Sequence, residues 1–345
     1  MMVTLKRFCA RVVFSIFGIW LLGVLALGCS GGGGDPGQEA EGYDTAAARV
    51  AAQDLVLGSN YSGNYEIYCM AQDGSNLRQL TNDPAYDNWW PRISPDRTKI
   101  LFYRTPAGED GSYVLADLMV MDADGANQTL LRAAGDDGWA MQAHAEWSPD
   151  GDELVMCGTA NEAVHLFVTN NRGTEVRQLT FDGTWNCDPS WSPDGRRIVF
   201  NRCAGDCGEN KANLEIFSIP LSGGQPTQLT RNATADYDPY YSPDGQTIAW
   251  LEHTDPSQWC IGDRCLGTWS IRLMNSSGSN PRYVIKDEQI NSKPAWSLTG
   301  DRIFFHRFEP AATPSRWRIF SIQPDGSNRA DIDPFGSGQS EYPAN

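Results

Sequence analysis

An all-β fold, a six-bladed β-propeller of four-stranded antiparallel blades, is what this 345-residue sequence predicts, and three observations predict it. The first is a motif that returns about every fifty residues. Its copies are Pro91-Arg92-Ile93-Ser94-Pro95-Asp96, Glu146-Trp147-Ser148-Pro149-Asp150-Gly151, Pro189-Ser190-Trp191-Ser192-Pro193-Asp194-Gly195 and Pro239-Tyr240-Tyr241-Ser242-Pro243-Asp244-Gly245, with a degenerate one at Pro294-Ala295-Trp296-Ser297-Leu298-Thr299-Gly300. The second is that each copy leads into a short apolar run of β-formers, such as Ile100-Leu101-Phe102 and Ile198-Val199-Phe200. The third is another apolar stretch between the copies, closing on a turn glycine, which occurs six times from residues 67–74 to residues 319–326.

Before the repeats, residues 1–28 read as a secretory signal. Lys6, Arg7 and Arg11 precede an uncharged apolar run over 12–27, a basic n-region followed by an h-region. The run is shorter than the roughly 20 residues a spanning helix needs. It closes on Leu25-Ala26-Leu27-Gly28-Cys29, which resembles a bacterial lipobox. That resemblance implies cleavage before Cys29 and diacylglycerol on its sulfur. Each buried CH2 of such a chain contributes roughly 0.8 kcal/mol to membrane attachment. Ser30 after the cysteine resembles an outer-membrane sorting signal, and residues 29–52, rich in Gly, Ala and acidic groups, read as a lipidated flexible tether.

Within residues 53–345 each repeat codes for two hairpins. Proline presets the turn, aspartate caps it, and glycine supplies the positive φ before the chain returns. A further strand ends near Gln79-Leu80-Thr81, Gln178-Leu179-Thr180 and Gln228-Leu229-Thr230. Four strands in about fifty residues make one blade. Leu55-Val56-Leu57 falls on the second strand of a blade whose first is missing, while Glu341-Tyr342-Pro343-Ala344-Asn345 aligns with the start of a new repeat. The C-terminal strand is therefore expected to close the ring on the N-terminal blade, leaving no exposed edge.

The Trp-Ser-Pro-Asp-Gly pattern, with Gln-Leu-Thr upstream, resembles the WD-like repeats of TolB-type propellers, periplasmic components of the Tol–Pal envelope system. TolB-type proteins carry an α/β domain before the propeller, whereas residues 30–52 are all that separate this lipobox from the first strand. The resemblance therefore implies a non-enzymatic propeller that binds protein partners in the bacterial envelope. It does not extend to the contact with TolA that the additional domain makes. With the lipobox, it implies a monomer, lipid-anchored at the outer membrane and facing the periplasm.

Charge narrows the partner class. The formal charge is −16, and loss of the three basic and no acidic residues in 1–28 takes it to −19. A surface this negative repels phosphate backbones, so nucleic acid is excluded. The Ser-Pro-Asp-Gly and Asp-Gly turns share one face and are nearly uniform. The long, variable loops share the other, where recognition usually lives. On that side, the residue before the repeat proline is Trp90, His144, Asp188, Asp238, Lys293 and Tyr342 in turn. Packing alone should converge on one residue type, so this varied column is a candidate partner-binding rim of the central channel. Two positions earlier, Asn88, Gln142, Asn186, Asp236 and Asn291 are all polar, as expected of groups that satisfy backbone at a strand entry. Trp147, Trp191 and Trp296 recur in phase and are expected to pack between blades. Trp89, Trp139, Trp185 and Trp259 lie outside that phase and are candidate loop anchors.

Export permits disulfides. Cys203 with Cys207, and Cys260 with Cys265, lie in long loops and are expected to close them. Cys157 and Cys187 occupy neighbouring repeats and can pair, while Cys69, in a third strand, reads as a buried thiol. No catalytic motif stands out, and no cofactor or metal is expected. The enzyme alternative is a propeller lyase acting on acidic sugars, with His144, Asp188 and Asp238 supplying metal ligands from consecutive repeats.

Overall fold

The computed structural model describes residues 26–27, 54–109, 111–205, 213–257, 260–261, 264–265, 267–309 and 316–335. Among them the regular structure is β, apart from one 3-10 turn at Asp136–Gly138. Four discrete four-stranded sheets follow one another along the chain. The first holds Ala26–Leu27, Asp54–Ser59, Glu66–Ala71 and Arg78–Gln79; the second Tyr86–Ile93, Lys99–Pro106, Asp117–Asp122 and Thr129–Arg132. The third comprises Gln142–Trp147, Glu153–Ala160, Ala163–Asn170 and Arg177–Gln178; the fourth Asn186–Trp191, Arg197–Cys203, Leu214–Pro220 and Thr227–Gln228.

The expectation of six separate blades is corrected here. The strands from Ala235–Tyr241 to Ala330–Asp331 form one continuous eight-stranded sheet, so four discrete blades stand among the described residues. The junction is a parallel bridge from Trp269 to Ile290, backed by the Trp269 amide donating to the Gln289 carbonyl at 3.0 Å. The bridge is possible because Arg282–Ile285 pairs with Thr268–Asn275 only as far as Ile271, leaving the Trp269 backbone open to the chain that follows. In the uncleaved chain the inner edge of the first sheet pairs with Ala26–Leu27, in register with Val56 and Leu55, a strand that cleavage before Cys29 would remove. Residues 341–345 lie outside the described residues.

Sheets packed on both faces explain why strands such as Asn186–Trp191 bury every residue instead of alternating. The periodic tryptophans tie one inner strand to the previous one. Trp147 Nε1 donates to the Arg92 carbonyl at 3.2 Å, Trp191 Nε1 to Glu146 at 3.3 Å, and Trp296 Nε1 to Tyr240 at 3.2 Å. The uniform turns are structural in detail. Ser94, Ser148, Ser192 and Ser242 each donate from Oγ to the aspartate two residues on at 2.6 Å.

The polar column satisfies backbone and its neighbours. Gln142 Nε2 donates to the Ala116 carbonyl at 2.9 Å, Asn186 Nδ2 to Val164 at 3.2 Å and Asn291 Nδ2 to Trp269 at 2.9 Å. A disulfide joins Cys157 to Cys187. Cys69, read as a free thiol, is disulfide-bonded instead, as is Cys203. The Cys203 partner expected from sequence, Cys207, lies outside the described residues. Cys260 and Cys265 stand opposite each other in a two-stranded ladder.

Candidate functional site

The innermost strands share a local irregularity that builds the site. In each, two residues stand opposite one on the neighbouring strand: after Trp89, Ala143, Cys187, Tyr237 and Ser292 the register shifts by one. Such a bulge re-aims a side chain. The bulged residues are Trp90, His144, Asp188, Asp238 and Lys293, with φ between 46° and 56°. A residue other than glycine in this left-handed region costs about 1–2 kcal/mol. Proline follows four of the five, at 91, 189, 239 and 294, and so gives up no ladder hydrogen bond there. Strain repeated five times, with five different side chains, marks a built feature.

These five side chains converge. His144 Nδ1 lies 2.5 Å from Asp188 Oδ1, and Asn201 Nδ2 donates to Asp188 Oδ2 at 2.5 Å. Lys293 Nζ donates to Asp238 Oδ1 at 2.8 Å and sits 3.9 Å over the Trp90 ring. The Trp90 and His144 ring centroids are 4.3 Å apart, with Tyr113 5.0 Å from His144. None of the five is more than 9% exposed.

A second layer lies two residues further along the same strands and was missed from sequence. Arg92 pairs with Glu146, donates to the Tyr240 hydroxyl at 2.6 Å and stacks 4.7 Å over Trp90. The signal was available: strand alternation places i and i+2 on one face, and Arg92, Glu146 and Tyr240 each follow a rim residue by two.

Burial governs the electrostatics. It pushes the Asp238 carboxyl up, reinforced by nearby Asp188 and opposed by Lys293. It pushes the Lys293 ammonium down against the pull of Asp238 and Asp188. Burial also opposes ionisation of Asp188, but His144 and Lys293 outweigh it and hold that carboxyl below its ordinary value. Two polar atoms in the cluster, Trp90 Nε1 and Asp238 Oδ2, are buried without a hydrogen-bond partner among the described residues.

The other sequence candidates are placed differently. Trp89 packs in the core against Tyr103 and Tyr113, at 5.3 Å and 4.8 Å between centroids. Trp139 lies on Phe167 at 4.2 Å and covers Gly158, where an added Cβ would stand 2.4 Å from the indole. Trp185 is partly buried against the same core. Cys29, Trp259 and Tyr342 lie outside the described residues. The metal-ligand set proposed from His144, Asp188 and Asp238 is not assembled as such, because Asp238 is turned to Lys293.

The face above the cluster carries exposed apolar groups. Tyr61 and Leu115 lie between second and third strands of their sheets, and Phe181 in the connection that enters Asn186–Trp191. They are 44%, 44% and 76% exposed.

A TolB β-propeller domain family matches residues 137–258. The TolB homologue of Chlorobium luteolum is 29% identical over 161 residues, which are 45% of this chain and 33% of the relative. The chain thus spans about a third of the length of the curated relatives it matches. Among solved structures, TolB from Acinetobacter baumannii superimposes with a TM-score of 0.65 at 16% identity, over 84% of this chain and 65% of that one. An oligogalacturonate lyase from Vibrio parahaemolyticus reaches 0.52 at 14% identity, over 81% and 74%. Likenesses at such identities speak for the fold. Residues 137–258 and the repeated Ser-Pro-Asp turns are similar to the TolB β-propeller domain, and the superpositions agree with a β-propeller fold.

Proposed function

We propose that this protein is a non-enzymatic envelope propeller that binds a protein partner on its variable face, above the Trp90, His144, Asp188, Asp238 and Lys293 cluster, and is held to the outer membrane by lipid on Cys29. The observation that carries the reading is the convergence of five different, strained residues at equivalent positions. A scaffold kept only for packing has no use for buried charges there, since hydrophobic replacements of similar volume are often neutral or stabilising. Trp90 Nε1 and Asp238 Oδ2 offer a donor and an acceptor still unused. Tyr61, Leu115 and Phe181 offer apolar contact around them. Partner hot spots are built from this combination of aromatic anchors and a desolvated polar centre.

The lyase alternative has less support, because Asp238, one of the three metal ligands it needs, is paired with Lys293.

Photo-crosslinking in intact envelopes tests the reading. A photoreactive residue in place of Phe181 or Leu115 is expected to capture one envelope protein, and the same residue in place of Leu298, on the turn face, to capture none. Capture only from position 298 overturns the assignment. Retention of a Cys29→Ser variant in the membrane fraction would remove the lipid anchor from the account.

A further inference from the structure

The Cys157–Cys187 disulfide reaches the cluster at one point, where it stands beside two cluster residues, His144 and Asp188, that can act as metal ligands. Cys187 directly precedes Asp188, and Cys157 stands opposite Ala143, the neighbour of His144. One ligand atom each from His144, Cys187 and Asp188 falls within 4.8 Å of the others, and all three residues are buried. Cys157 Sγ, bonded to Cys187 Sγ, lies outside that 4.8 Å set and becomes a neighbouring fourth donor once the S–S bond is opened. Two sulfurs, one imidazole and one carboxylate are ligands that zinc takes in a tetrahedron, with bonds of about 2.0–2.3 Å. Such bonds set neighbouring ligand atoms about 3–4 Å apart, within the 4.8 Å spread of the His144, Cys187 and Asp188 atoms.

The surroundings also suit a metal site. Asn201 Nδ2 donates to Asp188 Oδ2 at 2.5 Å, orienting the carboxylate from outside, and the Trp90 ring lies against the imidazole. Outer contacts of this kind fix ligand orientation in zinc centres.

We infer that the dithiol form of this protein holds one zinc ion between Cys157, Cys187, His144 and Asp188, and that zinc and the disulfide are alternative staples across the same two blades. The chemistry balances. A dithiol reductant gives the disulfide two electrons and two protons, yielding two thiols, and is itself oxidised to a disulfide. Zinc then forms two Zn–S bonds as the two thiol protons leave. Its remaining bonds, to His144 and Asp188, replace the 2.5 Å contact between them. The site shares His144 and Asp188 with the cluster beneath the proposed partner face, but zinc binding is read without the partner, so either reading can fail alone.

Zinc titration of the full chain, produced with its cysteines reduced, tests it against a chromophoric chelator. The reduced chain is expected to bind one equivalent at the site, and the oxidised chain at least tenfold more weakly. Cys187→Ser and His144→Gln should each weaken binding by the reduced chain at least tenfold, and Cys203→Ser should leave it unchanged. Cobalt in place of zinc should give a thiolate charge-transfer band that Cys157→Ser diminishes. Equal binding by the oxidised chain, or full binding by Cys187→Ser, overturns the inference. Far-UV circular dichroism follows the fold in parallel, and a reduced chain that is unfolded even with zinc overturns it as well.

Discussion

Lys293 Nζ and Asp238 Oδ1 form a buried ion pair 2.8 Å long between neighbouring inner strands, with the two side chains 3% and 1% exposed. The attraction must offset the loss of hydration of both charges, and neither partner tolerates being left alone. Lys293→Met should therefore destabilise the fold by about 3–5 kcal/mol. Adding Asp238→Asn should recover more than half of that loss. Urea denaturation of the two single variants and the double variant measures the coupling; a double variant as unstable as the sum of the singles would mean the pair is not coupled.

Asp236 departs from the asparagine found at the same place in Asn88, Asn186 and Asn291. Burial, with Glu215 nearby, pushes its carboxyl up to about 8. The folded chain thus keeps a proton that the unfolded chain releases near its ordinary value of 3.8. Stability is then lost as pH rises from about 4 to about 8, by up to about 1.4 kcal/mol per pH unit. Asp236→Asn should remove that slope and raise stability at pH 7 by about 1–3 kcal/mol. Its amide can donate to Glu215 as Asn88 Nδ2 donates to Glu66 Oε2 at 2.9 Å. Melting curves at pH 5 and pH 8 check this; an unchanged pH slope in the variant counts against it.

What the sequence made legible was set by periodicity. The turn serines, the inter-blade tryptophans and the polar column were all readable because each recurs in phase, and the serines of the four full copies and the tryptophans repeat the same bond as well. The rim residues were readable as a column for the same reason. Their inward convergence was not, because it depends on a bulge and a left-handed φ that no residue type announces in Trp90 or Lys293. Trp89 and Trp139 misled as loop anchors because being out of phase with the repeat does not imply exposure; a bare Gly158 made room for one of them. The join between the last two repeats turned on where a strand stops, at Ile271, which is among the features least visible in sequence.

The Cys157–Cys187 disulfide closes a loop of sequence separation 30. Constraint of the unfolded chain by such a loop contributes about 3–4 kcal/mol. In a metal-chelating buffer without reductant, Cys157→Ser should lower the melting temperature. Identical melting of that variant and the oxidised parent would show that the bond constrains little.

Trp191 Nε1 donates to the Glu146 carbonyl of the preceding inner strand at 3.3 Å. Trp191→Phe keeps the ring but removes that donor, and should cost about 1–2 kcal/mol. Trp191→Ala should cost about 3–5 kcal/mol through the cavity it leaves. Chemical denaturation of both separates the hydrogen bond from the packing, and equal losses would assign the whole effect to packing.

The central claim is that recognition belongs to the variable face above the buried cluster. Its most direct measurement is the affinity of the crosslinked partner for folded variants at fixed ionic strength. Phe181→Ser is expected to weaken binding at least tenfold while Leu298→Ser, on the opposite face, leaves it unchanged. Undiminished binding by Phe181→Ser together with loss in Leu298→Ser would contradict the account.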